Sequence, residues 1–145
     1  MNRLVMMVVS IAAVAAFAAD PDVTSLYDVK TDGTSAAVKA GEKGKIVIAI
    51  KAKNGAHVSD EAPLRIELSS KDAKLEKEKL TLADSLVKKA EGSAEFPDPR
   101  FEVGFMPSGT GTGKASVDAK MTFFICTDKV CARQTKTLSF PVTVN

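Results

Sequence analysis

Tryptophan is absent from this 145-residue chain, which has one tyrosine, one histidine and two cysteines. The shortage of aromatic side chains leaves few anchors for carbohydrate or protein recognition. Two cysteines and one histidine fall short of the four ligands a structural zinc site takes. Lys and Arg total 20 against 18 Asp and Glu, a formal net charge of +2, and the two signs are interspersed along the chain. No basic stripe with interleaved aromatics occurs, so a nucleic-acid partner is not expected. No Ser-His-Asp set or paired-carboxylate motif stands out, and no cofactor is expected. Beyond the N-terminal segment no second hydrophobic run is present, so the mature chain is not expected to span a membrane.

What the chain does contain begins with a leader. Asn2-Arg3 supplies a short basic start, and the apolar run Leu4 to Ala16 carries no charge. Ala16-Phe17-Ala18 fits the small-x-small pattern that precedes signal-peptide cleavage. The run is short for a span of about 20 residues, and no charged stop-transfer flank follows. A signal peptide over 1–18 and a single mature domain over 19–145 are therefore expected. No cysteine stands at the cleavage point, so a lipid anchor is not expected. The destination is periplasmic or secreted, where disulfides persist.

The mature chain alternates apolar and polar residues in several segments, the period of half-buried strands. Ile46, Ile48 and Ile50 share one face, as do Leu64, Ile66 and Leu68, and then Phe101, Val103 and Phe105. Ala115, Val117, Ala119, Met121, Phe123 and Ile125 predict a long strand, and Leu138, Phe140, Val142 and Val144 a last one. Pro141 in that last strand cannot donate to a ladder, so its amide position should face an edge or a bulge. Thr31-Asp32-Gly33, Gly41-Glu42-Lys43-Gly44 and Asn54-Gly55 are turn signals. The Gly-rich stretch Pro107 to Gly113 lacks the Gly-Lys-Ser/Thr ending and following helix of a phosphate loop, so it reads as a β-connection. Residues 71–90 mix a helix-spaced leucine stripe with a strand-like Leu80-Thr81-Leu82. The all-β context favours a short strand with charged flanks and one helical turn. The sum is an antiparallel β-sandwich.

Cys126 and Cys131 flank four residues between two strand patterns, a hairpin-sized loop. Directly opposed antiparallel residues have Cα atoms about 4.5–5.5 Å apart, within reach of a disulfide. On loop entropy a six-residue ring stabilises by about 2 kcal/mol, against about 4.7 for a ring of 100 residues. The bond is a weak staple, and the residues alone leave open whether it is structural or exchangeable. Lys129 and Arg133 favour a thiolate nearby while Asp128 opposes it. A metal or Cys-His function would need His57 beside the hairpin; following Asn54-Gly55-Ala56, it reads as a surface or turn residue. Copper(I) could take two thiolates with Met106 or Met121, although both methionines fit core positions.

The hairpin Phe124-Ile125-Cys126-Thr127-Asp128-Lys129-Val130-Cys131, with Thr135-Lys136-Thr137-Leu138 and Phe140-Pro141-Val142-Thr143-Val144 after it, resembles the end of the N-terminal periplasmic domain of the disulfide-bond protein DsbD. Gly55-Ala56-His57-Val58, Pro63-Leu64 and Leu75-x-Lys77 are similar to earlier strands of that family, and Glu95-Phe96 to its acidic–aromatic cap pair. The resemblance implies an immunoglobulin-like sandwich whose Cys126 and Cys131 shuttle reducing equivalents, with Cys131 attacking the partner disulfide. It further implies that Phe96 shields the sulfurs and Glu95 modulates proton transfer, with Phe124 the nearest flanking aromatic. The implied partners are thioredoxin-fold proteins and, because no membrane or thioredoxin-like domain is present here, a separate membrane thiol reductase. Ala132-Arg133 stands where many relatives carry proline. The rival expectation is a structural or adaptor sandwich with an inert hairpin disulfide.

Overall fold

Alternating side chains sort the chain into two facing sheets. The computed structural model describes residues 22–109 and 111–145; the signal peptide expected over 1–18 lies outside them. Among the described residues the strands are Tyr27–Lys30 (β1), Ala37–Val38 (β2), Gly44–Ala52 (β3), His57–Val58 (β4), Arg65–Ser69 (β5), Ala73–Leu75 (β6), Lys79–Thr81 (β7), Arg100–Pro107 (β8), Gly113–Cys126 (β9) and Cys131–Val144 (β10). One sheet runs β1-β3-β8-β6, the other β2-β10-β9-β5-β7 with β4 added beside β9. All pairings are antiparallel except β2 with β10, which is parallel. The expected all-β sandwich is what forms. Among the described residues no helix is long and apolar enough to cross a membrane.

The core lies between the sheets. Ile46, Ile48 and Ile50 of β3 and Phe101, Val103 and Phe105 of β8 meet Ile66, Leu68 and the inward residues Ala115 to Ile125 of β9. Tyr27 packs edge-on against Phe123 with ring centroids 5.2 Å apart, and its hydroxyl donates to Gln134 Oε1 at 3.0 Å. That contact ties the first sheet to β10 of the second. Val47 is buried on the opposite face of β3. At the strand edge Thr34 Oγ1 accepts from Val47 N at 2.9 Å and Ser35 N donates to Lys45 O at 2.9 Å, bringing the preceding segment alongside β3.

Residues 71–90 hold two short strands, β6 and β7, and a 3-10 turn at Leu82–Asp84. The turn is held where Thr81 N donates to Asp84 Oδ2 at 2.8 Å. The Gly-rich stretch joins β8 to β9 as a β-connection. Pro141 has the edge position its chemistry requires. Thr143 N donates across to Ala36 O, so odd-numbered amides of β10 point away from β9. Pro141 points the same way, past the pairing that β2 makes with Thr143 and Val144 alone. β10 is thus an edge strand for most of its length.

Candidate functional site

The hairpin is built by Thr127. Its amide donates to Val130 O at 2.7 Å, and its hydroxyl oxygen accepts from Lys129 N and Val130 N, both at 3.2 Å. The turn brings Cys126 opposite Cys131 in the β9–β10 register. The two are joined as a disulfide, S–S 2.05 Å, with Cα atoms 4.0 Å apart. This is closer than the expected 4.5–5.5 Å separation of opposed antiparallel residues.

The register also shows which face carries the bond. Val58, Ile125 and Ala132 lie side by side on β4, β9 and β10, and all three belong to the core. Side chains alternate along a strand, so the adjoining row, His57, Cys126 and Cys131, projects from the outer face. Cys126 is 3 % exposed although it faces away from the core, while Cys131 is exposed. The hairpin tip beside it is exposed too, Val130 included, at 38 %.

His57 arrives there through the Asn54-Gly55 turn. Asn54 (φ 54°) and Gly55 (φ 78°) both take left-handed backbone, the combination a tight two-residue turn requires. Ala56 N closes it on Lys53 O at 3.0 Å. The turn carries the chain from β3 in one sheet to β4 in the other, where His57 pairs with Cys126. Next along, Ser59 N donates to Phe124 O at 3.0 Å, and Ser59 Oγ accepts from Ala62 N at 3.1 Å, which starts the turn out of β4. Sequence gave His57 a surface or turn position. The structure corrects this: it is a strand residue, half-buried, beside the disulfide.

Residues 86–99 form a long connection whose base is closed by Leu86 N to Arg100 O, 2.7 Å, and by Arg100 N to Ser85 Oγ, 3.2 Å. It is fastened again where Ala52 N donates to Asp98 Oδ1 at 3.0 Å and where Lys89 Nζ meets Asp60 Oδ2 at 2.7 Å. The Lys89 hydrogen bond holds the Asp60 carboxyl below its usual range, with a smaller contribution from nearby His57. Glu95 Oε1 lies 3.7 Å from His57 Nδ1, beyond hydrogen-bonding distance. His57 Nδ1 is buried and has no hydrogen-bond partner.

Of the residues singled out from sequence, Cys126 and Cys131 are bonded, and Glu95 reaches the same neighbourhood by way of His57. Phe96 is half-buried in the same connection, and Phe124 is half-buried on the outer face, two positions before Cys126 and opposite Arg133. Met121 lies in the core, on the opposite face of β9 from Cys126, and Met106 is on β8 of the other sheet. Neither methionine joins the sulfurs. Among the described residues no group of three or more His, Cys, Asp or Glu side chains is placed to hold a metal ion. The residues that sequence missed are Thr127 and the Asp60–Lys89 pair; His57 was weighed but not placed beside the hairpin. Thr127 alone left a signal, as a hydroxyl residue opening a short turn.

No protein-family model matches the chain, and no curated protein matches it. Among solved structures, a conjugative transposon lipoprotein from Bacteroides eggerthii DSM 20697 is similar at 10% identity and a TM-score of 0.44, over 82% of this chain and 98% of that one. A likeness at that level carries nothing about function.

Proposed function

We propose that Cys126–Cys131 is an exchangeable disulfide which passes reducing equivalents to or from thioredoxin-fold proteins outside the cytoplasm, with a separate membrane thiol reductase as its donor. The observation that carries this is the placement of the bond. It sits on the outer face of its sheet, off the core, with Cys131 exposed and Cys126 covered. An exposed cysteine beside a covered one suits thiol–disulfide exchange, in which one thiolate attacks and the second resolves the mixed disulfide. The bond also joins two strands already paired over fourteen residues each, where a cross-link removes little further freedom. The resemblance of the hairpin to the N-terminal domain of DsbD points the same way.

In this reading Cys131 makes the attack, Cys126 resolves it, Phe96 covers the site when no partner is bound, and Glu95 modulates proton transfer beside it. Phe124 supplies the flanking aromatic. A redox titration tests it. Structural disulfides of secreted proteins fall below about −300 mV, and exchangeable ones lie higher. A higher potential is expected, together with a Cys131-linked mixed disulfide trapped from a thioredoxin-fold protein by the Cys126→Ala variant. A potential well below that line, with nothing trapped, would establish the rival structural or adaptor role.

A further inference from the structure

The exchange proposed above leaves one proton to be moved from a place water reaches poorly. Cys126 is 3 % exposed, yet as a thiol it must lose its proton in order to attack. His57 stands next to it across the β4–β9 pairing, on the same outer face. Directly opposed side chains in an antiparallel pair have Cβ atoms about 4.5–5.5 Å apart. The imidazole is half-buried, and its Nδ1 is fully covered without a hydrogen-bond partner. A buried, unsatisfied polar atom is costly, and in a native structure it calls for a functional or structural reason. Neutral imidazole is the side chain best suited to taking up a proton near neutral pH.

We propose that His57 is the general base that takes the proton of Cys126 when the mixed disulfide is resolved. This rests on the exchange reading, and its steps balance as follows. The Cys131 thiolate attacks a disulfide, forms a mixed disulfide at Sγ and releases one thiolate. His57 then accepts the Cys126 thiol proton, and Cys126 Sγ attacks Cys131 Sγ. The Cys126–Cys131 bond forms and the mixed disulfide breaks. The second thiolate leaves and takes up the proton from the imidazolium. The dithiol is oxidised and the disulfide substrate is reduced by two electrons.

The groups around His57 are consistent with holding an imidazolium for that interval. Glu95 faces Nδ1 from the 86–99 connection. Asp60, bonded to Lys89, lies close enough to feel the ring's charge. From the hairpin side come Cys126, paired with His57, and Cys131 beyond it; Asp128, Lys129 and Arg133 of the hairpin are exposed, with charges of both signs. Lys53, at the turn before β4, is engaged with Asp28 at 2.8 Å.

The test follows the lifetime of the Cys131–glutathione mixed disulfide after the reduced protein meets glutathione disulfide, by acid quench and mass spectrometry. His57→Gln should form the mixed disulfide at a rate within about twofold of the wild type but resolve it at least about 100-fold more slowly, the low end of general-base effects. The wild-type resolution rate should rise and level off between about pH 5 and 8, where imidazoles lose their charge, and the variant should lack that inflection. Because the chain has a single histidine, its ring protons can be followed alone by NMR, and their shifts should differ between disulfide and dithiol forms. Equal resolution rates and equal pH profiles in the two proteins would overturn the role of His57 and leave exchange standing. A wild type that never reacts with glutathione disulfide would overturn both.

Discussion

Lys89 Nζ and Asp60 Oδ2, 2.7 Å apart, fasten the 86–99 connection to the segment that leads out of β4. The same connection carries Glu95 and Phe96, so this ion pair holds in place the proposed cover, Phe96, and the carboxylate beside His57. Its hydrogen bond lowers the Asp60 pKa. A carboxyl whose folded pKa is depressed contributes above its unfolded value, near 3.9, and that contribution is lost as pH falls through the folded value. The connection should therefore stay fastened at pH 5 and loosen only below about pH 4. Amide exchange over 86–99 should rise in Asp60→Asn at neutral pH and in the wild type under acid. High salt should produce a milder rise, since a partly exposed pair is screened.

Reducing the disulfide should leave the fold intact. β9 and β10 are paired from Gly113–Val144 to Cys126–Cys131, and the six-residue ring contributes about 2 kcal/mol on loop entropy, an upper figure where the strands are already paired. Urea unfolding with and without a reductant should show a loss of no more than about 2 kcal/mol and an unchanged denaturant slope. Unfolding on reduction would instead mark the bond as an indispensable staple.

The sandwich was legible wherever one face of a strand is buried and the other wet. The isoleucines of β3, the Phe-Val-Phe row of β8 and the long inward row of β9 all showed themselves by alternation. The last strand was legible only from Leu138 onward. Its first half, Arg133 to Thr137, is polar on both faces because it lies at the sheet edge, so hydropathy does not mark it, although it pairs with β9 throughout. Gly44 reads as the end of a turn, but it opens β3, where a Cβ would come within 2.5 Å of the Phe105 ring. The cysteine pair was legible because its register is local to one hairpin. His57 was not, because its pairing with Cys126 joins strands nearly half a chain apart, and only the tertiary fold sets that register.

Core replacement should cost far more than any change at the hairpin. Phe123 is fully buried and meets Tyr27 edge-on across the sandwich. Phe123→Ala should lose about 3–5 kcal/mol in urea unfolding. Tyr27→Phe removes only the hydroxyl that donates to Gln134 and should lose about 1 kcal/mol. A double variant Tyr27→Ala/Phe123→Ala should lose less than the sum of its two single variants, since the rings are in contact.

Phe96 lies half-buried in the connection whose neighbour Glu95 reaches His57, and His57 adjoins Cys126. If its ring helps to keep the site covered, truncation should open Cys126 more than Cys131, which is already exposed. In the reduced protein, Phe96→Ala should react faster with an alkylating thiol reagent, and peptide mapping should place the gain at Cys126. The stability change should be small beside that of Phe123→Ala, because Phe96 lies outside the core cluster. Phe124→Ala serves as the comparison, since it shares the outer face with Cys126 but is fixed in β9 rather than in the connection. Equal alkylation rates in Phe96→Ala and the wild type would show that the ring covers nothing. The burial of Cys126 would then have to come from His57 and the disulfide partner themselves.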